Sequence, residues 1–251
     1  METHASHLHH APGKKFWHYF NEFLMLFLAV FCGFLAENIR EHKVDKEKGE
    51  QYILSFYADL KEDTIKLSNI ISFDEQKVKD LNNMFNCYDT ILNNWKSTSC
   101  LWSLIKRSST NRPFLETDRT LKQLANAGGF RLLEREDADS IARYESDYKG
   151  IQDFQTTLYQ EAQNNVRNTL NTLVDFKPYS QQRGTLSGAD SVGVDTTIPL
   201  LLSPDKALLN KYFNELLIYM RVTNGHKVQL ERFMKKANRL IAFYKNKHNF
   251  E

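Results

Sequence analysis

Proline and glycine are scarce in this chain, five and ten among 251 residues. A β-sandwich or barrel needs Gly and Pro signals at every turn, so their scarcity argues against a turn-rich β fold. Cysteine is nearly absent too: Cys32, Cys87 and Cys100 form no CxxC and no Cys/His pairing, which argues against a structural zinc site. An excess of one charge is also missing. Thirty-three Lys and Arg face thirty-one Asp and Glu, interspersed, for a net charge of +2. No basic face for nucleic acid follows from that pattern. Nor does the chain carry a Gly-rich phosphate loop, an HExxH, a GxSxG or an EF-hand loop. Enzymatic chemistry has no visible handle, and the expectation is a non-enzyme without cofactor. Isolated Ser, His and Asp residues on long helices read as solvated faces rather than a preorganised pocket.

What the chain does contain is Asn, Gln, Leu and Lys in quantity, and one long apolar run. From residue 23 to 36 every side chain is apolar or Gly, a stretch equally suited to a signal-peptide core or a buried helix. The flanks decide. Adding Phe16, Trp17, Tyr19 and Phe20 gives about 21 residues, or ~31 Å of helix, with the aromatics as an interfacial belt. Cleavage after Ala36 would place bulky Phe34 at the −3 position, and Phe31 before Cys32 argues against lipoprotein processing. The apolar residues also surround the helix instead of forming one stripe. The reading is an uncleaved transmembrane helix over 16–36, preceded by a disordered His-rich tail over 1–15 and followed by a charged juxtamembrane segment over 37–50.

Sidedness is a contest of two arguments. Arg40, Lys43, Lys46 and Lys48 outnumber Lys14 and Lys15, which favours a cytoplasmic C-terminal side. Large domains translocate largely regardless of charge, and a short basic tail is what signal anchors carry. The expectation is therefore a bacterial inner-membrane protein with its tail inside and its C-terminal domain in the periplasm. In an oxidising compartment Cys87 and Cys100 are a candidate disulfide; otherwise they are two unrelated thiols.

Beyond the span, 51–251 reads as one helical domain. Apolar residues at alternating steps of four and three run from Ile53 through Tyr57, Leu60, Leu67, Leu81 and Leu92 to Trp95, and only Thr64 and Asp74 break the seam. Two further seams predict helices over about 137–174 and 204–246, the latter opened by Ser203 as N-cap and Pro204 at its first position. Gly225 within it marks a kink or a packing notch. A short helix over 118–127 has Thr117 as its cap and Gly128-Gly129 as its stop. The loop over 175–203 is a candidate ligand-binding or simply mobile segment. The predicted fold is all-α: an N-terminal transmembrane helix, then an elongated antiparallel three- or four-helix bundle with coiled-coil-like helices.

"EFLMLFLAVFCGFLAENIREH", "EQYILSFYADLKED" and "DRTLKQLANAGGFRLL" together resemble an uncharacterised family of bacterial membrane proteins of the Bacteroidota type, with a His-rich tail, one span and a helical domain. The resemblance covers the N-terminal two thirds of the chain. It implies a membrane-anchored protein and supplies no catalytic residue.

Three candidate features remain. His4, His7, His9 and His10 could hold a transition metal loosely, but without a rigid backbone or supporting carboxylates the site would be adventitious. Glu22 is a candidate intramembrane acid, similar in layout to single-span subunits of proton-driven motors; its shallow depth, about 9 Å from Phe16, also lets it reach headgroup water. Ala29, Gly33 and Ala36 make a small-residue face suited to close helix packing, either in a homo-oligomer or against a larger membrane protein. The function expected is protein interaction, sensing or scaffolding at the bilayer. An accessory role in an ion-driven motor or transport complex, through Glu22, is the alternative.

Overall fold

The computed structural model describes residues 13–96, 99–108, 110–180 and 200–250. The four tail histidines, His4, His7, His9 and His10, lie outside the described residues, as does most of the 175–203 loop. The chain is all-α. Among the described residues the only β contact is an isolated bridge between Val174 and Leu201.

The first helix, α1, runs unbroken from Gly13–Met84, 72 residues or roughly 108 Å. It fuses the apolar segment, the charged segment and the first seam into one rod, because nothing between Ala36 and Ile53 interrupts it: the charged stretch contains no Pro, and Glu37 pairs with Arg40 one turn on. Its N-terminal part is one helix near the N-terminus that is long and apolar enough to cross a membrane, and none of its apolar window is buried in the protein. The rings of Phe23, Phe27 and Phe31 stack along one side of it.

The predicted helix over 51–96 ends earlier than its seam. After Leu81 come Asn82, Asn83 and Asn86, poor helix formers, and the chain tightens where the Phe85 amide reaches the Asn82 carbonyl. It then forms two short helices, α2 (Cys87–Asn93) and α3 (Ser99–Ser108). Cys87 and Cys100 join them through a disulfide, with Cα atoms 5.9 Å apart.

The short helix α4 spans Arg119–Asn126. Asp118, not Thr117, occupies its N-cap, and no side chain of its own caps it. The capping acceptor comes from another helix: Asp59 of α1 takes the Thr120 amide at 3.1 Å and its hydroxyl at 2.6 Å. Gly128 follows in the left-handed conformation at φ +62°, and a 3₁₀ turn over Gly129–Leu132 lies against α1. Gly49 permits that contact, since a Cβ there would collide with the Leu132 carbonyl oxygen.

Helices α5 (Arg135–Phe154) and α6 (Gln160–Leu173) are joined by a π turn over Gln155–Tyr159. The short α7 (Phe176–Ser180) follows. The last helix, α8, covers Lys206–His248. Its N-cap is Asp205, whose carboxylate accepts from the Ala207 and Leu208 amides, so Ser203 and Pro204 lie outside the helix. Gly225 does not interrupt α8, and a Cβ there would meet Phe154 at an ordinary 3.6 Å.

Pairings between helices run in opposite senses along α8. Phe56 and Asp74 of α1 meet Tyr244 and His226, and Tyr144 and Tyr159 meet Phe233 and Tyr219. Burial divides the core in two. A cluster nearer the apolar segment contains Phe56, Leu60, Leu67, Phe114, Ile141 and Tyr144; a farther one contains Leu81, Ile105, Val166, Tyr212 and Leu216.

Candidate functional site

Between the two apolar clusters the three long helices meet through polar side chains. From α1 come Asp74 and Lys77, from the π turn Gln155 and Tyr159, from α8 Tyr219 and His226. Asp74 and His226 are entirely buried, and Lys77 is 3% exposed. Lysine and aspartate are almost never this buried unless paired, so the burial identifies a built feature.

The partners are complete. His226 Nδ1 lies 2.6 Å from Asp74 Oδ2 and Nε2 lies 2.9 Å from Gln155 Oε1. The Tyr159 hydroxyl donates to Asp74 Oδ1 at 3.1 Å. Gln155 in turn clasps the backbone of Phe114: its Oε1 accepts the Phe114 amide at 2.5 Å and its Nε2 donates to the Phe114 carbonyl at 3.1 Å. Lys77 donates to the Thr110 carbonyl at 2.6 Å, to Asn111 Oδ1 at 3.0 Å and to the Tyr219 hydroxyl, and Asn111 extends the chain to Gln163. Three acceptors match the three protons of an ammonium group.

The π turn makes this convergence possible. The seam through Tyr144, Tyr148 and Ile151 predicts Phe154 and Leu158 as the next inward residues. One extra residue in the turn rotates the helix, so Gln155 and Tyr159 face inward and Leu158 is 52% exposed. Sequence periodicity therefore misplaces Leu158 and misses Gln155 and Tyr159, while Phe154 still packs against the core and stacks on His226. The His226 position did leave a trace: the α8 seam skips from Thr223 to Leu230, and His226 fills the gap. Asp74, taken as a break in the α1 seam, is inside it.

A second polar group sits nearer the apolar segment. Asp63 accepts the Thr117 amide and hydroxyl, both at 2.7 Å, and the Tyr144 hydroxyl at 2.8 Å. Asp59, one turn earlier, binds Arg119 as well as Thr120. Together they fasten the segment before α4 to α1. The expectation that the isolated Asp and His residues face solvent is thus overturned at Asp59, Asp63, Asp74, Asp137 and His226.

Burial raises the Asp63 carboxyl above its ordinary range, and two further groups are pushed far towards neutrality. Burial above all lowers Lys77 to about 7, against an opposing pull from Asp74. Burial, then the nearby Asp63, Glu145 and Asp118 charges, raises Glu116 to about 8. A carboxyl raised from an ordinary 4.5 contributes stability that is full below that value and lost as pH rises through 8; the lysine's contribution is present above 10.5 and lost as pH falls through 7. The expected outcome is a thermal midpoint that declines between pH 5 and 7, before Lys77 discharges, and a clearly shallower decline in Glu116→Gln, measured by circular dichroism.

The remaining predicted residues lie apart from this layer. Glu22, Ala29, Gly33 and Ala36 sit on the exposed N-terminal part of α1, and at about 100° per residue they share the side opposite the Phe23, Phe27 and Phe31 rings. Nothing lies within 4 Å of where a Gly33 side chain would be. Cys32 is an exposed free thiol. Among the described residues no group of His, Cys, Asp and Glu is arranged to hold a metal ion. Surface clefts lie elsewhere, beside Gly150 and Phe233 and beside Gly49, Asp137 and His248. No family model, no curated protein and no solved structure matches this chain.

Proposed function

We propose that the chain is a non-enzymatic, single-pass inner-membrane protein whose C-terminal domain, an elongated antiparallel helix bundle, works in protein interaction, sensing or scaffolding. The observation that carries this reading is the continuity of α1. Residues 16–43 are exposed along their length, yet the same helix enters a fully buried core from Ile53 onward. Apolar side chains exposed all round a helix need lipid or protein cover. About 20 Å of charged helix then separates Ala36 from Gly49, so the domain stands off the bilayer on a short stalk. The disulfide supports an oxidising, periplasmic location for the domain. Kinship with the Bacteroidota-type membrane family belongs to the same proposal.

The small-residue face at Ala29, Gly33 and Ala36 lies away from the bulky Phe rings and suits a second span, from another copy or a larger membrane protein. Carbonate-washed membranes should retain the full chain, and its release into the soluble fraction would refute the anchor. Glu22 shares that face, which favours the second reading, an accessory subunit of an ion-driven complex. In that case Glu22→Gln abolishes function while abundance and assembly stay unchanged; under the first reading the variant keeps its function.

A further inference from the structure

We propose that Asp74 and His226 form a buried one-proton site whose occupancy sets the conformation of the π turn and of the segment at Phe114. A backbone amide only donates and a carbonyl only accepts, so the two bonds to Phe114 fix the Gln155 amide: its Oε1 faces both the Phe114 amide and His226. His226 Nε2 must then carry a proton. Nδ1 faces Asp74 Oδ2 at 2.6 Å, and Asp74 Oδ1 already accepts from Tyr159. With the carboxylate ionised, Nδ1 must carry a proton as well, and imidazole holds a proton more tightly than a carboxyl group does in water. The ring is an imidazolium bound between two acceptors.

Removing that proton leaves no arrangement of the neutral ring that keeps both bonds. A proton left on Nε2 aims the Nδ1 lone pair at Asp74; a proton left on Nδ1 aims the Nε2 lone pair at Gln155. Beside the charged carboxylate the second tautomer is favoured, so the bond to Gln155 is the one lost. Gln155 opens the π turn and is the clasp on Phe114, so its release loosens both. The charged and titratable groups in contact with the ring are Asp74 from α1 and Tyr159 from the π turn. One contact further out, Tyr219 of α8 stacks on Tyr159, Lys77 interacts with Asp74, and Arg167 on α6 acts on Lys77 and Tyr219. Discharge of Lys77 removes a nearby positive charge and so favours proton retention on His226.

The test uses the full chain in detergent micelles with ¹⁵N-labelled histidine. His226 is assigned by the signal that changes in Gln155→Leu, a variant that leaves Asp74 and His226 in place. At pH 7 both ring nitrogens of His226 should be protonated. As pH rises, loss of the Nε2 proton should coincide with faster hydrogen exchange at the Phe114 amide, with exchange at Leu81 unchanged. In Gln155→Leu the affinity for the proton should fall about tenfold, the size of one lost charge-assisted hydrogen bond. A neutral His226 ring at pH 7, or deprotonation that leaves Phe114 exchange unaltered, overturns the proposal.

Discussion

Leu67→Asp is expected to unfold the domain or bring it to the edge of unfolding, and Leu81→Asp to do the same from the other core cluster. Both leucines have no exposed surface, and each lies in a seam flanked by α8 and by α5 or α6. The substitution removes about 2 kcal/mol of apolar burial and places a carboxylate among the apolar side chains of the core. Either the charge is desolvated or the group takes up a proton, and both routes are costly. A loss above roughly 4 kcal/mol is a large part of the 5–15 kcal/mol that ordinarily separates folded from unfolded states. The measurement is the circular-dichroism midpoint of each variant beside Leu54→Asp. Leu54 is 50% exposed on the outer side of α1 and its variant should melt close to the parent. Equal melting of all three would mean that the α1 seam has been assigned to the wrong side.

The second large effect belongs to Asp63. Truncation to Ala leaves the Thr117 amide, the Thr117 hydroxyl and the Tyr144 hydroxyl without their acceptor inside the protein. Each buried donor left unsatisfied costs about 1–3 kcal/mol, partly relieved where water enters, so Asp63→Ala should lose on the order of 3–5 kcal/mol. At the usual size dependence this is a fall of about 10 °C in midpoint. Asp63→Asn keeps an oxygen for Thr117 and should recover a good part of the loss. The same logic applied to Asp59 predicts fraying of α4, whose first turn depends on an acceptor supplied by α1.

Apolar patterning identified α1, α5, α6 and α8 because their inward residues are local and periodic. Leu60, Leu67 and Leu81 announce themselves at steps of seven or fourteen. The polar layer had no such signal. Asp74 and His226 are 152 residues apart, Asp63 and Thr117 are 54 apart, and no spacing rule links residues that meet only after three helices pack. Two local traces were nonetheless present: a carboxylate at a seam position in α1 and a histidine filling a skipped position in α8. The π turn left none, since an inserted residue is invisible to a constant period, and it reversed the expected roles of Gln155 and Leu158. Helix ends went astray for a related reason. The cap of α4 comes from Asp59, far along the chain, while at α8 the Ser203-Pro204 pair carries the familiar start signal and the amides are taken instead by Asp205, two residues on.

Continuity of α1 also joins the mechanical and electrostatic parts of the account. The polar layer lies about 57 Å along the helix from Ala36, so a change at Asp74 acts on the same rod that enters the apolar segment. Which compartment that layer faces governs the proton supply to His226 and the redox state of Cys87 and Cys100 together. The decisive measurement is protease treatment of intact spheroplasts. Protease added outside should degrade the C-terminal domain and leave a short membrane-protected N-terminal fragment. A domain that survives in intact spheroplasts but is digested once they are lysed would contradict a periplasmic location.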